Sequence, residues 1–346
     1  MERRGEARAA MAIVAAVAGT GYASGRELVL FFAQTGRAQW IGILFAPVVF
    51  GALTALLCHC GSQVGADSFA GFCRRLMGRR MGAVAGWLHA LLLALTAVVM
   101  LCGAGETGAL TLPVRFGWLW GAGIALLIAV IVNLSGLRPL PWLGLIVLAA
   151  GLVFYGALAL DPRPPQVWME GAVQLALEDS WPASVLLALT YGAMNAALAS
   201  NVVLRFGKGP RPWKAGLLCG GALLALLAVT AGAIARGGRP LLGQAMPTVI
   251  LAARWGLAGF WICAAFSYLC TVTTLAAVLG GLIDDLRGGW GRGALVTALA
   301  VAALAGLLGL RRSVGTGYPA VGWLCAALLL AVACRADRAL LHRRKG

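Results

Sequence analysis

Long apolar segments, bounded by glycine, proline or arginine, make up most of this chain. They lie at about 9–34, 38–60, 82–109, 117–134, 140–160, 181–206, 213–235, 257–282, 294–310 and 316–334. Most of them reach the roughly 20 residues that cross a hydrocarbon core of about 30 Å. The pattern predicts an all-α integral membrane protein with about ten transmembrane helices, in which residues 1–346 form a single transmembrane domain. The ninth and tenth segments are also short enough to form one re-entrant pair.

Composition and charge support a membrane environment. The chain is 61% hydrophobic and only 12% charged, whereas soluble domains contain roughly 25% charged residues. The net charge of +16 would suit a nucleic-acid partner. The basic residues, however, lie in clusters at the ends of apolar segments, as membrane topology requires. We therefore predict that the chain contacts a lipid bilayer and binds no nucleic acid.

The connections between the segments alternate in charge. Basic residues that share one side of the membrane are Arg3, Arg4, Arg8, Arg74, Arg75, Arg79, Arg80, Arg138, Arg205, Lys208, Arg211, Lys214, Arg287, Arg292, Arg335, Arg338, Arg343, Arg344 and Lys345. Positively charged connections stay in the cytoplasm. The pattern predicts that the N- and C-termini are both cytoplasmic, which an even number of helices also requires.

Two segments contain polar or glycine-rich interruptions. The first contains Gly19-Thr20-Gly21-Tyr22-Ala23-Ser24-Gly25, and the sixth contains Thr190-Tyr191-Gly192-Ala193-Met194-Asn195. Glycine lowers helix propensity, and non-helical backbone at membrane depth is tolerated only inside protein or a water-filled cavity. We predict that helices 1 and 6 are both interrupted. The alternative is that the small residues allow close helix packing.

The two interruptions lie about 175 residues apart, and other features recur at a similar offset. A short amphipathic stretch follows the second segment at Asp67–Met77, and another follows the seventh at Pro247–Trp255. Because five segments are an odd number, the second set enters the membrane from the opposite face. The sequence thus predicts a 5+5 inverted repeat, about 9–160 and 181–334, with a binding site near the midplane.

The stretch from Ala18 to Glu27, AGTGYASGRE, resembles the start of the YkvI-type bacterial membrane proteins. These look like distant members of the amino acid–polyamine–organocation (APC) transporter superfamily. Tyr191 and Asn195 are similar to that superfamily's sixth helix, and Thr271-Val272-Thr273-Thr274 to its eighth. The resemblance implies a LeuT-type fold and secondary active transport of a small organic solute, an amino acid or related carboxylate, by alternating access. It also implies a multi-pass protein of the bacterial cytoplasmic (inner) membrane.

The resemblance implies a substrate site at the first interruption. Backbone amides at the start of a half-helix favour an anionic group, and glycine lets a ligand approach the backbone. The amides that would hold a carboxylate are those around Gly19, Thr20 and Gly21. The side chains that would contact the substrate are those of Tyr22, Ser24, Tyr191 and Asn195. The alternative role for each side chain is an interhelical hydrogen bond.

A cation site between the first and eighth helices is also implied by the resemblance. Its positions here are Ala15, Ala18, Cys270, Thr273 and Thr274. Hydroxyl and carbonyl oxygens suit hard cations, so Na⁺ symport is favoured over H⁺ symport. Proton-coupled relatives often use a lysine in the fifth helix, and the fifth segment here contains no lysine or arginine. The alternative is that the threonines bond to carbonyls of their own helix.

Charged residues within apolar segments are candidates for gating or proton relay. Arg26 and Glu27 follow the first interruption, and Glu106 lies near the end of the third segment. Intramembrane carboxylates are commonly functional, although Glu106 would equally suit the outer interface. His89 is expected to be a packed histidine rather than a proton carrier. Cys58-His59-Cys60 are expected to be packed side chains at a helix end rather than a metal site.

Other function classes are less well supported by the sequence. It contains no metal-ligand spacing and no nucleophile motif, so we predict no enzyme activity and no cofactor beyond a coupling Na⁺ or H⁺. A non-transporting membrane receptor on the same fold, which binds a small ligand, is the alternative to transport.

Overall fold

The computed structural model describes residues 2–18, 20–135, 141–162, 179–206, 211–237, 241, 243–287 and 318–343. Every regular element in these ranges is a helix. The α-helices are α1 (Glu2–Val17), α2 (Thr20–Ala23), α3 (Arg26–Phe31), α4 (Gln39–Val64), α5 (Phe69–Met77), α6 (Arg79–Thr111), α7 (Gly117–Leu134), α8 (Pro141–Leu160), α9 (Trp181–Phe206), α10 (Pro212–Gly237), α11 (Pro247–Ala252), α12 (Gly256–Arg287) and α13 (Tyr318–Arg343). Two 3₁₀ helices lie at Ala33–Ala38 and Ala253–Trp255.

Seven helical stretches among the described residues are long and apolar enough to cross a membrane. They are Ala33–Val64, Arg79–Thr111, Gly117–Leu134, Leu143–Leu160, Trp181–Arg205, Pro212–Gly237 and Pro247–Asp285. Large apolar side chains such as Leu127, Leu134 and Val153 are exposed on their outer surfaces, which suits contact with lipid rather than water. The chain is therefore a multi-pass membrane protein. The predicted ninth segment, 294–310, lies outside the described residues, and the count of ten helices stays a prediction.

The helices form two packed groups. In the first, called the α4 group, α4 packs against α9 and α10, and α1 contacts both of these helices. In the second, called the α6 group, α6 packs against α7 and α12. Helix α8 lies against α1 and α10, and α13 against α9. The first interrupted segment thus belongs to the same group as α9.

The molecule has two distinct faces. Helix α4 ends, and α6 begins, on the side that carries Arg74, Arg75, Arg79 and Arg80, which we call the arginine-rich face. Helices α9 and α12 also end there, where Arg205 and Asp284 form an ion pair of 2.6 Å. Helix α11 lies at the opposite face, after the end of α10.

The first segment is interrupted, as the sequence predicts. Helix α1 ends at Val17, α2 is a single turn, and α3 begins after Gly25, whose φ of 77° is in the left-handed region. A Cβ atom at Gly25 would lie 2.8 Å from Thr248 Cγ2. Glycine meets both constraints, because it adopts positive φ at little cost and leaves room for α11.

The predicted interruption of helix 6 is wrong. Helix α9 runs without a break from Trp181 to Phe206. Its polar side chains bond to the helix itself: Thr190 Oγ1 donates to the Leu186 carbonyl at 2.7 Å, and Asn195 Nδ2 to the Tyr191 carbonyl at 2.9 Å. Such bonds satisfy the polar groups inside a continuous helix.

Gly192 has a packing role instead. A Cβ atom there would lie 2.8 Å from the Ala46 carbonyl oxygen of α4, so the residue allows α9 and α4 to approach closely. This is the alternative that the sequence left open. The expected inverted repeat loses one of its two matched interruptions, and the LeuT-type 5+5 arrangement stays a prediction.

Helices α4 and α10 also approach closely at a glycine pair. A Cβ atom at Gly216 would lie 2.4 Å from the Gly51 carbonyl oxygen, and one at Gly51 would lie 2.7 Å from the Gly216 carbonyl oxygen. The contact is backbone against backbone, so no side chain can move aside to make room.

We expect Gly216→Ala to lower thermal stability and Gly221→Ala not to. The first substitution forces α4 and α10 apart, at a cost of about 1–3 kcal/mol. A Cβ atom at Gly221 meets nothing within 4 Å, and alanine there gains up to about 1 kcal/mol of helix propensity. The measurement is the unfolding midpoint of purified protein, followed by fluorescence-detected size-exclusion chromatography. Equal midpoints for the two variants would contradict the packing described here.

Candidate functional site

The interruption between α1 and α3 leaves backbone carbonyls outside the helical bonding pattern. The Ala23 carbonyl accepts hydrogen bonds from the Tyr155 hydroxyl at 2.6 Å and from Thr248 Oγ1 at 2.5 Å. The Ser24 carbonyl accepts one from the Thr248 backbone amide at 3.0 Å. Donors from α8 and α11 therefore replace the bonds that a continuous helix would make.

Tyr22 joins the interruption to α10. Its side chain is buried, and its hydroxyl lies 2.6 Å from Thr230 Oγ1 and donates to the Leu226 carbonyl at 3.2 Å. Its ring meets the ring of Tyr155 edge to face, with centroids 5.9 Å apart. These contacts agree with the interhelical role that the sequence left open for Tyr22. A role in substrate contact stays a prediction.

The other residues predicted in this turn have varied placements. Ser24 is buried, and its Oγ accepts a hydrogen bond from the Arg26 backbone amide at 3.3 Å. Thr20 and Gly21 lie in the single turn of α2, and Gly19 lies outside the described residues.

Tyr191 and Asn195 have different surroundings from Tyr22. The Tyr191 ring packs against Phe31 and Phe32 at the end of α3, with centroid distances of 5.1 and 5.2 Å. Asn195 is buried and bonds to the Tyr191 carbonyl. Tyr22, in contrast, contacts α8 and α10. Participation of Tyr191 and Asn195 in a substrate site stays a prediction.

The predicted cation residues are only partly brought together. Thr274 Oγ1 lies 3.5 Å from the Ala15 carbonyl oxygen, across the contact between α12 and α1. Thr273 Oγ1 instead donates to the Cys270 carbonyl at 2.9 Å and to the Leu269 carbonyl at 3.0 Å, both in its own helix. Ala18 lies just beyond the end of α1, where its amide bonds to the Val14 carbonyl.

At the opposite face, the predicted gate residues lie inside the protein. Arg26 and Glu27 are buried, and an Arg26 guanidinium nitrogen (Nη1) donates to the Gln244 carbonyl at 3.2 Å. Gln244 lies three residues before α11, so this bond connects α3 to the stretch from Gln244 to the end of α11, which we call the α11 segment. Glu106 lies half-buried on α6.

A second polar contact at this face was not predicted from the sequence. Arg254 Nε lies 3.5 Å from an Asp161 carboxylate oxygen, and the guanidinium also donates to the Leu158 carbonyl. The Trp255 indole N–H donates to the same Asp161 carboxylate. The turn after α11 is thereby attached to the end of α8.

Three residues at the interruption, Tyr155, Thr230 and Thr248, were also missed, although two of them carry a sequence signal. Tyr155 is the only tyrosine in the fifth apolar segment, and Thr230 is the only hydroxyl residue in the seventh. A buried tyrosine or threonine hydroxyl normally has a hydrogen-bond partner. An isolated hydroxyl in an apolar span therefore indicates a contact with another helix.

The fold and site together define a class: a multi-pass membrane protein whose first apolar segment is interrupted, with the freed backbone groups bonded by other helices. No protein-family model matches the chain. It is 27% identical over 226 residues to YkvI, an uncharacterized membrane protein of Bacillus subtilis strain 168, covering 63% of this chain and 62% of that protein. It is 23% identical over 199 residues to YyaD, an uncharacterized protein of the same organism, covering 57% and 55% respectively. The chain thus covers less than two thirds of the length of either relative. The predicted resemblance to YkvI-type proteins is confirmed.

The fold is similar to that of a solved manganese transporter from Eremococcus coleocola. Crystal structures of two mutants of that protein match with a TM-score of 0.53, 14% identity, and coverage of 95% of this chain and 86% of the transporter. At this identity, the similarity shows a shared fold.

We expect the two donors to the Ala23 carbonyl to act non-additively. Tyr155→Phe or Thr248→Val alone should cost about 0.5–1.5 kcal/mol of unfolding free energy, because the other donor remains. The double substitution removes both donors from a buried carbonyl, so its cost should exceed the sum of the single costs by about 0.5 kcal/mol or more. Unfolding in mixed detergent and sodium dodecyl sulfate measures these costs.

The matched control replaces Thr96 by valine, since its buried hydroxyl donates to the Leu92 carbonyl of its own helix. Thr96→Val combined with Tyr155→Phe should be additive. An additive result for the Tyr155 and Thr248 pair would show that they do not share one acceptor.

Proposed function

We propose that this protein is a secondary active transporter of a small organic solute, an amino acid or related carboxylate, and that it works by alternating access. The interruption of the first membrane span carries this proposal. Interrupted helices in transporters present backbone groups to a substrate near the midplane, and this one lies among α8, α10, α11 and α12. The similarity to YkvI and the fold shared with a manganese transporter support a transporter in the bacterial cytoplasmic membrane.

The proposed substrate site is the glycine-rich turn itself. Residues 18–25 contain no charged side chain, so amides and hydroxyls supply the polarity there. We propose that the amides around Gly19, Thr20 and Gly21 bind the substrate carboxylate. The side chains proposed to line the site are Tyr22, Ser24, Tyr191 and Asn195.

The proposed coupling ion is Na⁺, between α1 and α12. Carbonyls in the last turn of a helix lack partners within it, and Thr274 has its hydroxyl 3.5 Å from the carbonyl of Ala15, near the end of α1. Two oxygens at this spacing can both reach one cation at about 2.3–2.6 Å, the distance that Ca²⁺ keeps to oxygen. Ala18 and Cys270 lie close by in sequence and complete the proposed site, whereas Thr273 already bonds to its own helix.

The proposed motion is a rocking of the α4 group against the α6 group. The arginine-rich face would be cytoplasmic by the positive-inside rule. The α11 segment, Arg26 and Glu27 would close the external face, where Arg26 bonds to Gln244. Under proton coupling, Glu106 is the proposed relay.

Manganese transport is a second candidate, because the shared fold is that of a manganese transporter. Manganese favours carboxylate and other hard ligands. The interruption offers neutral groups, and no group of three or more His, Cys, Asp or Glu residues among those described could hold a metal ion. The organic solute is therefore the first candidate, and manganese is included in the test.

We expect Gly21→Leu to abolish uptake of the transported solute. Its side chain would occupy the space in which a carboxylate meets the backbone amides. The measurement is uptake of labelled amino acids and of labelled Mn²⁺ into proteoliposomes, after thermal-shift selection of solutes that bind. Gly123→Leu is the control, since a Cβ atom there meets nothing within 4 Å. Mn²⁺ uptake without amino-acid uptake would favour the second candidate, and binding without any uptake would favour a receptor.

We expect Thr274→Val and Thr273→Val to differ in their sodium dependence. Losing a contact to a charged group costs roughly 1.5–3 kcal/mol, so Thr274→Val should need at least about tenfold more Na⁺ for half-maximal uptake. Thr273→Val should stay close to wild type, because its hydroxyl bonds to carbonyls of α12. Uptake is measured against Na⁺ concentration at fixed membrane potential. Wild-type uptake that ignores Na⁺ and follows a pH gradient would contradict the sodium site.

A further inference from the structure

A buried polar cluster joins four helices near the arginine-rich face. It consists of His89 from α6, Asp285 from α12, and Ser200 and Asn201 from α9, together with the first residues of α5. All four polar side chains are at most 4% exposed. We call this set the His89 cluster.

Both ring nitrogens of His89 face oxygen atoms. Nδ1 lies 2.7 Å from an Asp285 carboxylate oxygen, and Nε2 lies 3.0 Å from the Ala197 carbonyl oxygen and 2.9 Å from Ser200 Oγ. A carboxylate and a carbonyl only accept hydrogen bonds, and a neutral imidazole has a single N–H. An imidazolium would donate from Nδ1 to Asp285 and from Nε2 to the Ala197 carbonyl, whereas a ring with its single N–H on Nδ1 would accept at Nε2 from the Ser200 hydroxyl. The cluster therefore has a partner for His89 with one proton and with two.

The rest of the cluster holds the start of α5. The other Asp285 oxygen accepts the Ala70 backbone amide at 3.1 Å, and Asn201 Oδ1 accepts the Phe69 amide at 2.7 Å. The Phe69 ring lies against the His89 imidazole with centroids 4.4 Å apart. Amides at the start of a helix have no partner within it, so α9 and α12 supply the partners here.

We infer that His89 and Asp285 form a proton-binding site whose occupancy keeps the arginine-rich face closed. His89 and Asp285 belong to the α6 group, while Ser200, Asn201 and the Ala197 carbonyl belong to the α4 group. The bound proton thus joins the two groups that the proposed function moves apart. The inference rests on that function only in taking this face to be the one that opens.

Release of the proton weakens the contact between the groups. With the Nε2 proton gone, the nitrogen lone pair faces the Ala197 carbonyl oxygen, and Ser200 is left as its donor. An open cavity of about 470 Å³ lies at the arginine-rich face next to the start of α5. Its lining includes Ser68 and Asp284, which directly precede Phe69 and Asp285 of the cluster.

Other titratable and charged groups lie on the helices packed around His89. Burial, and secondarily the charge of Asp285, raise the pKa of the Cys73 thiol on α5 above its ordinary value, so it stays protonated. Arg205 of α9 pairs with Asp284 of α12 at 2.6 Å. The groups on α5, at the start of α6 and on α13 up to residue 335 are Arg74, Arg75, Arg79, Arg80, Cys325, Cys334 and Arg335, and arginine is always charged. Cys102 and Glu106 lie further along α6, and Asp337, Arg338, His342 and Arg343 lie further along α13. Histidine is the side chain that ordinarily changes charge between about pH 5 and 8.

Amide hydrogen exchange of purified protein in lipid nanodiscs tests the inference without a substrate. We expect the segment from Phe69 to Arg75 to lose protection by about tenfold or more between about pH 5.5 and 8.5, after correction for the intrinsic exchange rate. His89→Gln should show no such pH dependence. His59→Gln is the matched control, because His59 is exposed at the end of α4 and contacts Gln63, and it should behave as the wild type.

If the His89→Gln variant does not fold, a second measurement on the wild-type protein tests the inference. Nitrogen NMR of histidine-labelled wild-type protein should show one buried imidazole that carries protons on both nitrogens at about pH 5.5 and loses one as exchange protection falls. The chain contains three histidines, so the His59→Gln and His342→Gln spectra assign the other two rings. Wild-type protection that is independent of pH, or a buried ring with one proton throughout, would overturn the inference. Absence of transport in proteoliposomes would refute the proposed function and leave this result standing.

Discussion

The arrangement of this protein depends on bonding the backbone carbonyls that the first apolar segment exposes at its interruption. In hydrocarbon, an unsatisfied backbone group costs several kcal/mol, so the chain can leave the helix at Ala23 and Ser24 only where donors reach their carbonyls. Tyr155 brings α8 to the Ala23 carbonyl, and Thr248 brings α11 to Ala23 and Ser24. Tyr22 reaches α10 through Thr230. Two helices thus supply the donors that satisfy the interruption, and a side chain within it contacts a third.

The first interruption could be predicted from sequence because glycine acts locally. Gly25 adopts a backbone conformation that other residues avoid, and its effect needs no knowledge of distant helices. The polar residues of α9, from Thr190 to Asn195, do not determine the backbone conformation locally in this way. Thr190 and Asn195 are equally compatible with an interruption and with a continuous helix, because side chains of this length reach carbonyls of the preceding turn. Only the packing of Gly192 against α4 distinguishes the two structures.

Adjacent residues on a helix show a further limit of sequence patterns. Thr273 and Thr274 are separated by about 100° around α12. Thr274 can therefore face α1, while the Thr273 hydroxyl bonds to carbonyls of its own helix. The pattern identifies the pair, and the packing selects Thr274.

His89 illustrates the same limit at longer range. It is buried, as expected of a packed histidine, but its partners come from residues 108 and more positions away along the chain. In the sequence, none of these partner residues differs from a residue that makes an ordinary interhelical contact.

The continuous α9 is compatible with alternating access because it connects the two faces mechanically. Tyr191 packs against the end of α3, and Ser200 contacts His89 near the arginine-rich face. The two positions are nine residues apart, about 14 Å along a helix. A helix without an interruption carries a displacement over this distance with little bending, since its backbone bonds are intact. In the proposed mechanism, the interrupted helix presents backbone groups near the midplane, while the continuous α9 of the same group would transmit movement between the faces.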